Sequence, residues 1–387
     1  MKLVISIDVE EEGLFFGHYR RTPPGVTNVA ELERLSFIPR DFGLPLTLLV
    51  TYQVAGDPEA CRVLAHWRDR YRAEIGVHLH PWNTPPFLDL PDPEPVPAAR
   101  LPQELLREKF ANLTSQVRAN LAVRPRAFRM GRFDAGPRVW SLLPEFGLEV
   151  DSSVAPLTLK NADPRGFLAP ADPFPLWDSG PQENMPLEVP ITMVPVVAGT
   201  PGLVDRLAAA GPPAWGRRLR GLFRYVGAVG VQPAWYPLVS MQLAARLHRR
   251  RGGRVLTMFF HSSELKPGAT RLFPTEAAVS RFVDKIRTFL TWLVQTGPVQ
   301  GVTLAKLGED WRQGGKSADG DAAGIKGTAG LWGRTGGTPR HTHPHLAGGN
   351  TVNEGRDAPG LIRPRKPAGR GCGGPTPGPG RNNNSGA

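Results

Sequence analysis

Cysteine is nearly absent from this 387-residue chain, which holds only Cys61 and Cys372. Two cysteines cannot build a disulfide framework, and Cys61 falls within a helical pattern, so nothing here calls for an oxidising compartment. No run of about 18 apolar residues occurs, which argues against a membrane-spanning helix. The opening Met1-Lys2-Leu3-Val4-Ile5-Ser6-Ile7-Asp8 turns acidic too soon for a secretory leader. A cytoplasmic protein without a transmembrane segment is expected. Acid is also in short supply: 35 Asp and Glu stand against 47 Lys and Arg, a net charge of +12. Roughly half of that excess lies beyond Arg312, where about ten basic residues face four acidic ones. No recognisable nucleic-acid-reading module accompanies the charge, so no nucleic-acid partner is expected.

What the chain does have is a hydrophobic content of 40%, enough for a substantial core. Buried strands are expected at Leu3 to Val9, Leu44 to Tyr52, Glu74 to His80, Ala127 to Phe133, Leu148 to Ser153, Leu187 to Val197 and Arg254 to Phe260, with Val302 to Leu304 as a last one. Helical patterns alternate with them. Asp57-Pro58-Glu59 opens one such helix with a capping acid, a first-turn proline and early negative charge. Others cover Asn28 to Phe42, Gln103 to Leu121, Pro137 to Phe146, Met241 to Arg250 and Glu276 to Gln295. Strand–helix alternation implies a parallel sheet or barrel with helices outside. Two regions follow: a (β/α) domain over 1–312, and a Gly/Pro-rich basic tail over 313–387 that reads as disordered and resembles out-of-frame translation of GC-rich coding sequence. His341, His343 and His345 in that tail read as unstructured polar tract. The basic stretch Arg217 to Tyr225 could touch an anionic membrane surface, or could be a solvated helix face.

The polar residues that stand out all fall at C-terminal strand ends, where α/β folds gather their reacting groups. Asp8 and Glu10 are two apart and share a face. So do His78 and His80 in Glu74-Ile75-Gly76-Val77-His78-Leu79-His80-Pro81, and two imidazoles on one face can share a divalent cation. Arg129 lies in Phe128-Arg129-Met130-Gly131-Arg132-Phe133, Asp151 in Asp151-Ser152-Ser153, and His261 in His261-Ser262-Ser263-Glu264. Each of these also has a plain reading, as strand-end solvation, a structural ion pair, a turn cap or a satisfied core histidine.

Together the stretches resemble the polysaccharide deacetylase family, the NodB-like carbohydrate esterases, over roughly residues 1–310. The family's first motif, Thr-Phe-Asp-Asp, is matched by Ser6-Ile7-Asp8-Val9-Glu10. Its second, His-(Ser/Thr)-x-x-His-Pro, is matched by His78-Leu79-His80-Pro81, two residues shorter between the histidines. Its third keeps Arg129 but lacks the Pro-Tyr of Arg-x-Pro-Tyr-Gly. The pattern is most similar to the WalW-like branch associated with lipopolysaccharide or O-antigen biosynthesis. The resemblance implies a distorted (β/α) barrel of about seven parallel strands. It implies a divalent metal, Zn2+ by preference, on Glu10, His78 and His80, with Glu11 or Glu12 able to stand in for Glu10. Asp8 would be the general base, Arg129 its ionic partner, and His261 the acid for the leaving amine. Asp151 would tune His261, and a backbone N–H near Arg132 or Phe133 would face the oxyanion. Trp82, Trp177 and Phe133 could stack on a sugar ring. The implied partner is an N-acetylated glycan, losing an N- or O-acetyl group. A metal-independent amidase on the same fold and a non-catalytic carbohydrate-binding protein remain as alternatives.

Overall fold

The structure is a computed structural model that describes residues 1–22, 25–91, 93–159, 164–176 and 185–318. Trp177, the three tail histidines and residues 319–387 fall outside the described residues. The strands are β1 (Lys2–Val9), β2 (Thr47–Val50), β3 (Glu74–Leu79), β4 (Ala127–Met130), β5 (Val150–Asp151), β6 (Phe174–Pro175), β7 (Leu187–Glu188), β8 (Met193–Pro195), β9 (Ala228–Gly230), β10 (Val255–His261) and β11 (Gln300–Gly301). Among the described residues nine of them form one sheet in the order β10-β1-β2-β3-β4-β5-β7-β6, with β11 pairing the start of β1. The ladder from β10 to β7 is parallel throughout, so the expected seven parallel strands are present, and β6 closes the far edge antiparallel.

The sheet curls, and each strand has a helix-facing and an inward face, as the two-residue strand period requires. On β1 the residues Leu3, Ile5, Ile7 and Val9 pack into the main core beneath the helices. Val4, Ser6 and Asp8 run up the inner face instead. Val4 meets Leu49, Ala127, Val150 and Val255 in a small apolar plug, which Leu304 and Leu307 complete. Burying each such aliphatic side chain contributes roughly 1.5–3 kcal/mol. The polar residues above therefore sit over an apolar floor. Gly76 lets the strands close over it: a Cβ there would lie 2.6 Å from Leu49 Cδ2 and 2.7 Å from the Ala127 carbonyl oxygen.

Among the described residues no strand ladder closes the curl. Residues 189–192 bridge the gap instead. The Val189 N–H donates to Asp151 O (2.8 Å), Ile191 N–H to Val154 O (3.1 Å), and Thr192 N–H to Thr257 O on β10 (3.0 Å). The single strand expected over Leu187 to Val197 is thus broken in two. Pro190 has no N–H for a ladder, so the chain leaves the sheet there and Met193–Pro195 pairs with β9 in a separate two-stranded sheet. One further expectation is refined and two are corrected. Asn28 to Phe42 is helical as expected but in two pieces, a 3-10 helix over Thr27–Leu35 and an α-helix over Phe37–Phe42. Pro137 to Phe146 holds two short turns of helix rather than one helix. Where a last strand was expected at 302–304, the strand is Gln300–Gly301, and a helix, Leu304–Ala318, runs past the boundary placed at 313. The cap at Asp57 is as expected: its carboxylate accepts from Ala60 N–H at 2.8 Å. Among the described residues no helix is long and apolar enough to cross a membrane.

Candidate active site

Register brings the singled-out residues to one rim. Asp8 pairs with His261 across β1 and β10, and His78 with Arg129 across β3 and β4. His80 and Glu10 follow directly after their strands, so Asp8, Glu10, His78 and His80 all project from the same inner face. One ligand atom from each of Glu10, His78 and His80 lies within 4.8 Å of the others. Glu10 Oε2 is 3.6 Å from His78 Nε2 and 3.5 Å from His80 Nε2. All three residues are buried.

The imidazole tautomers follow from their other nitrogens. His78 Nδ1 sits 2.9 Å from the Arg129 carbonyl oxygen. A carbonyl only accepts, so Nδ1 carries the hydrogen and Nε2 presents a lone pair. His80 Nδ1 is 2.8 Å from Glu11 Oε1, a carboxylate that also accepts from Trp82 Nε1 at 3.3 Å and from Asn83 Nδ2. The same logic leaves His80 Nε2 as a lone pair. With both rings neutral, two imidazole lone pairs and a carboxylate oxygen point at one place, an arrangement that repels itself unless a proton or a cation sits between them. This donor set fits a divalent metal, with outer partners that fix both rings. Glu11 stands behind His80 rather than beside Glu10, and Glu12 pairs with Lys266 and Thr27, so neither replaces Glu10. Burial alone would push Glu11 up; His80 outweighs it and holds the carboxyl below its usual range. In return Glu11 raises His80, against the downward pull of burial. Gly131 is needed here too, since a Cβ would fall 2.6 Å from His80 Cδ2 and 2.8 Å from Leu79 O.

Beside this cluster, Asp8 Oδ1 accepts from Arg129 Nη1 at 2.6 Å. Arg129 is fully buried, and its other donors go to Ser152 O (2.7 Å), Ser6 Oγ and Ser152 Oγ (both 2.8 Å). Asp8 Oδ2 is left facing His78 Nε2 at 3.7 Å and His261 Nε2 at 3.9 Å. Burial raises the Asp8 pKa, but Arg129, then His78 and His261, more than offset this and keep it below the ordinary aspartate value. His261 is pushed up to about 9: burial lowers it, and Glu264, Glu10 and Asp8 together overcome that. It is held by Glu264, whose Oε1 lies 3.1 Å from His261 Nδ1 and whose Oε2 accepts the His261 N–H at 3.0 Å.

Here one expectation fails. The carboxylate that tunes His261 is Glu264, not Asp151. Asp151 Oδ2 accepts from Trp140 Nε1 at 2.7 Å, Ser153 Oγ donates to its other oxygen, and β5–β7 register sets it beside Glu188. Both carboxyls are fully buried and raised, Asp151 by burial and Glu188 by burial and then by Asp151. Glu188 Oε1 accepts the Val154 N–H at 2.9 Å. The pair thus fixes the corner carrying Ser152 and Ser153, which accept from Arg129 and from the Met130 N–H.

A cavity of about 500 Å3 opens over the rim. Asp8, Glu10, both imidazoles and His261 form its floor, and Tyr19, Trp82, Phe133 and Trp235 supply ring surface. Trp82 stacks on His80 with ring centroids 4.2 Å apart, so it serves the ligand as well as the cavity. Arg132 and Phe133 both adopt positive φ, 61° and 60°, which turns this backbone into the cavity wall. Tyr19 and Trp235 were not foreseen; each comes from an irregular segment whose place over the sheet no local pattern announces.

No protein-family model matches the chain, and no curated protein matches it. Among solved structures, the chain is similar to a protein assigned as a polysaccharide deacetylase from Mycobacterium smegmatis (16% identity, 81% of this chain and 91% of that one, TM-score 0.48). It is similar to a family 4 acetyl xylan esterase from Clostridium thermocellum in complex with a cobalt ion (12%, 79% and 90%, 0.35). It is also similar to a family 4 carbohydrate esterase from Streptomyces lividans in complex with acetate (11%, 78% and 91%, 0.34). Likenesses this remote carry no residue roles across, and the chemistry follows from the side chains themselves.

Proposed function

We propose that the protein is a metal-dependent hydrolase that removes an acetyl group from a sugar of a surface polysaccharide or its precursor. The observation that carries this reading is the convergence of Glu10 Oε2, His78 Nε2 and His80 Nε2 beside a carboxylate, Asp8, that a buried arginine keeps ionised. When bound by those three residues, a divalent cation, Zn2+ by preference, supplies Lewis acidity towards a carbonyl oxygen and a water.

The protein's own groups divide the remaining work. Arg129 occupies Asp8 Oδ1, so Oδ2 is the oxygen free to take a proton from a water in the cavity. The ion pair also fixes which way that oxygen points. His261, protonated below about pH 9, stands across the floor as the proton donor to a leaving amine or alcohol. Glu264 holds its ring from behind, so Nε2 faces inward. Tyr19 and Trp235 offer ring surface to a pyranose, and the cavity volume falls in the range of small-molecule sites, about 300–1,000 Å3. An acetylated glycan is the substrate class that this floor and these walls suit. The short spacing of the two histidines is accommodated because the inner face of β3 places positions 78 and 80 in succession. The lipopolysaccharide or O-antigen assignment, and a cytoplasmic setting, belong to the resemblance to the WalW-like branch and are part of the proposal.

The test is acetate release from N-acetylated oligosaccharides and from partially O-acetylated glycans by the purified full chain. Activity should vanish with a chelator and return with Zn2+ or Co2+. Asp8→Asn should reduce kcat/KM about a thousandfold, as loss of a general base does, while metal binding persists. Activity that survives chelation with no bound metal would favour the metal-independent amidase. Glycan binding without acetate release, with metal in place, would favour the non-catalytic reading.

A further inference from the structure

The helix Pro213–Val226 carries two apolar faces, and only one of them is used by the fold. Gly216 and Phe223, seven residues apart, face inward. Phe223 packs edge-on against Phe167 at 5.9 Å, and Gly216 lets the neighbouring helix Thr200–Ala210 approach so closely that a Cβ would lie 2.3 Å from Ala208 O. A second face, about 100° round the helix, bears Trp215, Leu222 and Val226 at spacings of seven and four, with Tyr225 beyond them. Among the described residues these four are 46%, 58%, 77% (Tyr225) and 73% (Val226) exposed. A monomer seldom leaves so many large apolar groups on one helical stripe in water.

The charge around this stripe has one sign. The helix holds four arginines and no acidic residue. Arg220 is paired with Asp205 at 2.7 Å and Arg224 lies over the Trp235 ring at 4.5 Å, whereas Arg217 and Arg218 are exposed and make no ion pair among the described residues. An apolar, aromatic stripe flanked by Arg218, on a helix with Arg217 behind it and no acidic residue, repels a second copy of itself and also the basic C-terminal residues of this chain. Its complement is an anionic surface with an apolar interior beneath it. We propose that this helix seats the protein on an anionic lipid membrane, with Trp215, Leu222, Tyr225 and Val226 entering the headgroup region, Arg218 meeting lipid phosphates and Arg217 adding to the positive field around them.

Its placement bears on the cavity described above. Gly221 lies against Leu159, where a Cβ would be 3.8 Å from Leu159 Cδ1, and Arg224 stacks on Trp235; both Leu159 and Trp235 line the cavity. The helix therefore adjoins the cavity wall by one side and carries the membrane-facing stripe on the other. Docking stands independently of the reaction proposed above, because its readout is partition and not turnover.

The test is co-sedimentation of the purified full chain with vesicles of phosphatidylcholine alone and of phosphatidylcholine containing about one third phosphatidylglycerol. The protein should sediment with the anionic vesicles and not with the neutral ones, and salt should weaken binding. Each arginine near an anionic surface strengthens partition roughly fivefold. Arg217→Gln with Arg218→Gln should therefore weaken it about tenfold or more, and Trp215→Ser with Leu222→Ser should do likewise. All four positions are exposed, so the circular dichroism and melting temperature of both variants should match the parent. No partition of the parent into anionic vesicles would overturn the proposal. So would equal partition of parent and variants, which would place the binding in the basic tail. Binding of a single-stranded RNA that displaces the vesicles and is lost in the arginine variant would also overturn it, and assign the surface to nucleic acid.

Discussion

The two ends of the curled sheet treat charge in opposite ways. At the N-terminal end, Lys2 pairs with Asp310 at 2.5 Å, and Arg126 with Glu149 (2.5 Å) and Glu309. Glu74 there accepts from Thr47 Oγ1 (2.9 Å) and from the Ala305 N–H (3.1 Å). Most of these groups fasten the helix Leu304–Ala318 across the strand starts, and the ion pairs are partly exposed. At the C-terminal end the charged groups are buried, and their partners lie behind them, on Arg129 O, Glu11 and Glu264. What faces forward is unshared: two imidazole lone pairs, Glu10 Oε2 and Asp8 Oδ2. Charge satisfied on all sides holds a structure together. Charge satisfied on one side only is held ready for something that arrives.

This contrast gives an ordered set of substitutions. Arg129→Leu leaves Asp8 buried and unpaired, and should destabilise the protein by about 3–5 kcal/mol in urea unfolding of the metal-free form. Glu11→Gln removes the carboxylate behind His80 and should weaken Zn2+ binding about 10–100-fold by competition titration, with the fold intact. At the other side of the floor, His261 binds its proton more tightly folded (about 9) than unfolded (about 6.5). Its contribution to stability is therefore complete below about pH 6.5 and disappears as the pH climbs to about 9. Glu264→Gln should shrink that alkaline loss in metal-free thermal melts, by about 1.5 kcal/mol, the worth of one hydrogen bond to a charged group. The smallest effect should come from the opposite end. Arg126→Ala, in a partly exposed cluster, should cost less than about 1 kcal/mol and leave metal affinity unchanged. If Arg126→Ala outweighed Arg129→Leu, the contrast between the two ends would be broken.

Much of this was legible in the chain, because strand period and capping are local. Alternation put Asp8 with Glu10 and His78 with His80 on common faces, and the parallel repeat put all of them at one rim. The role of Arg129 needed the likeness to a known motif, since nothing local links it to an aspartate 121 residues away. Glu264 was missed although the signal existed: an acid three residues after a strand-end histidine can reach back to both its ring and its N–H. Asp151 was assigned to His261 because strand order does not give lateral register. Its real neighbour, Glu188, arrives from a two-residue strand cut short by Pro190, and no periodicity predicts that pairing.

The most direct measurement is anomalous diffraction at the zinc edge from crystals of the full chain grown with Zn2+. The predicted result is a peak within bonding distance of Glu10 Oε2, His78 Nε2 and His80 Nε2, about 2.0–2.2 Å from each. An empty floor at saturating Zn2+, or a peak bonded to other residues while these three turn towards water or one another, would contradict the account.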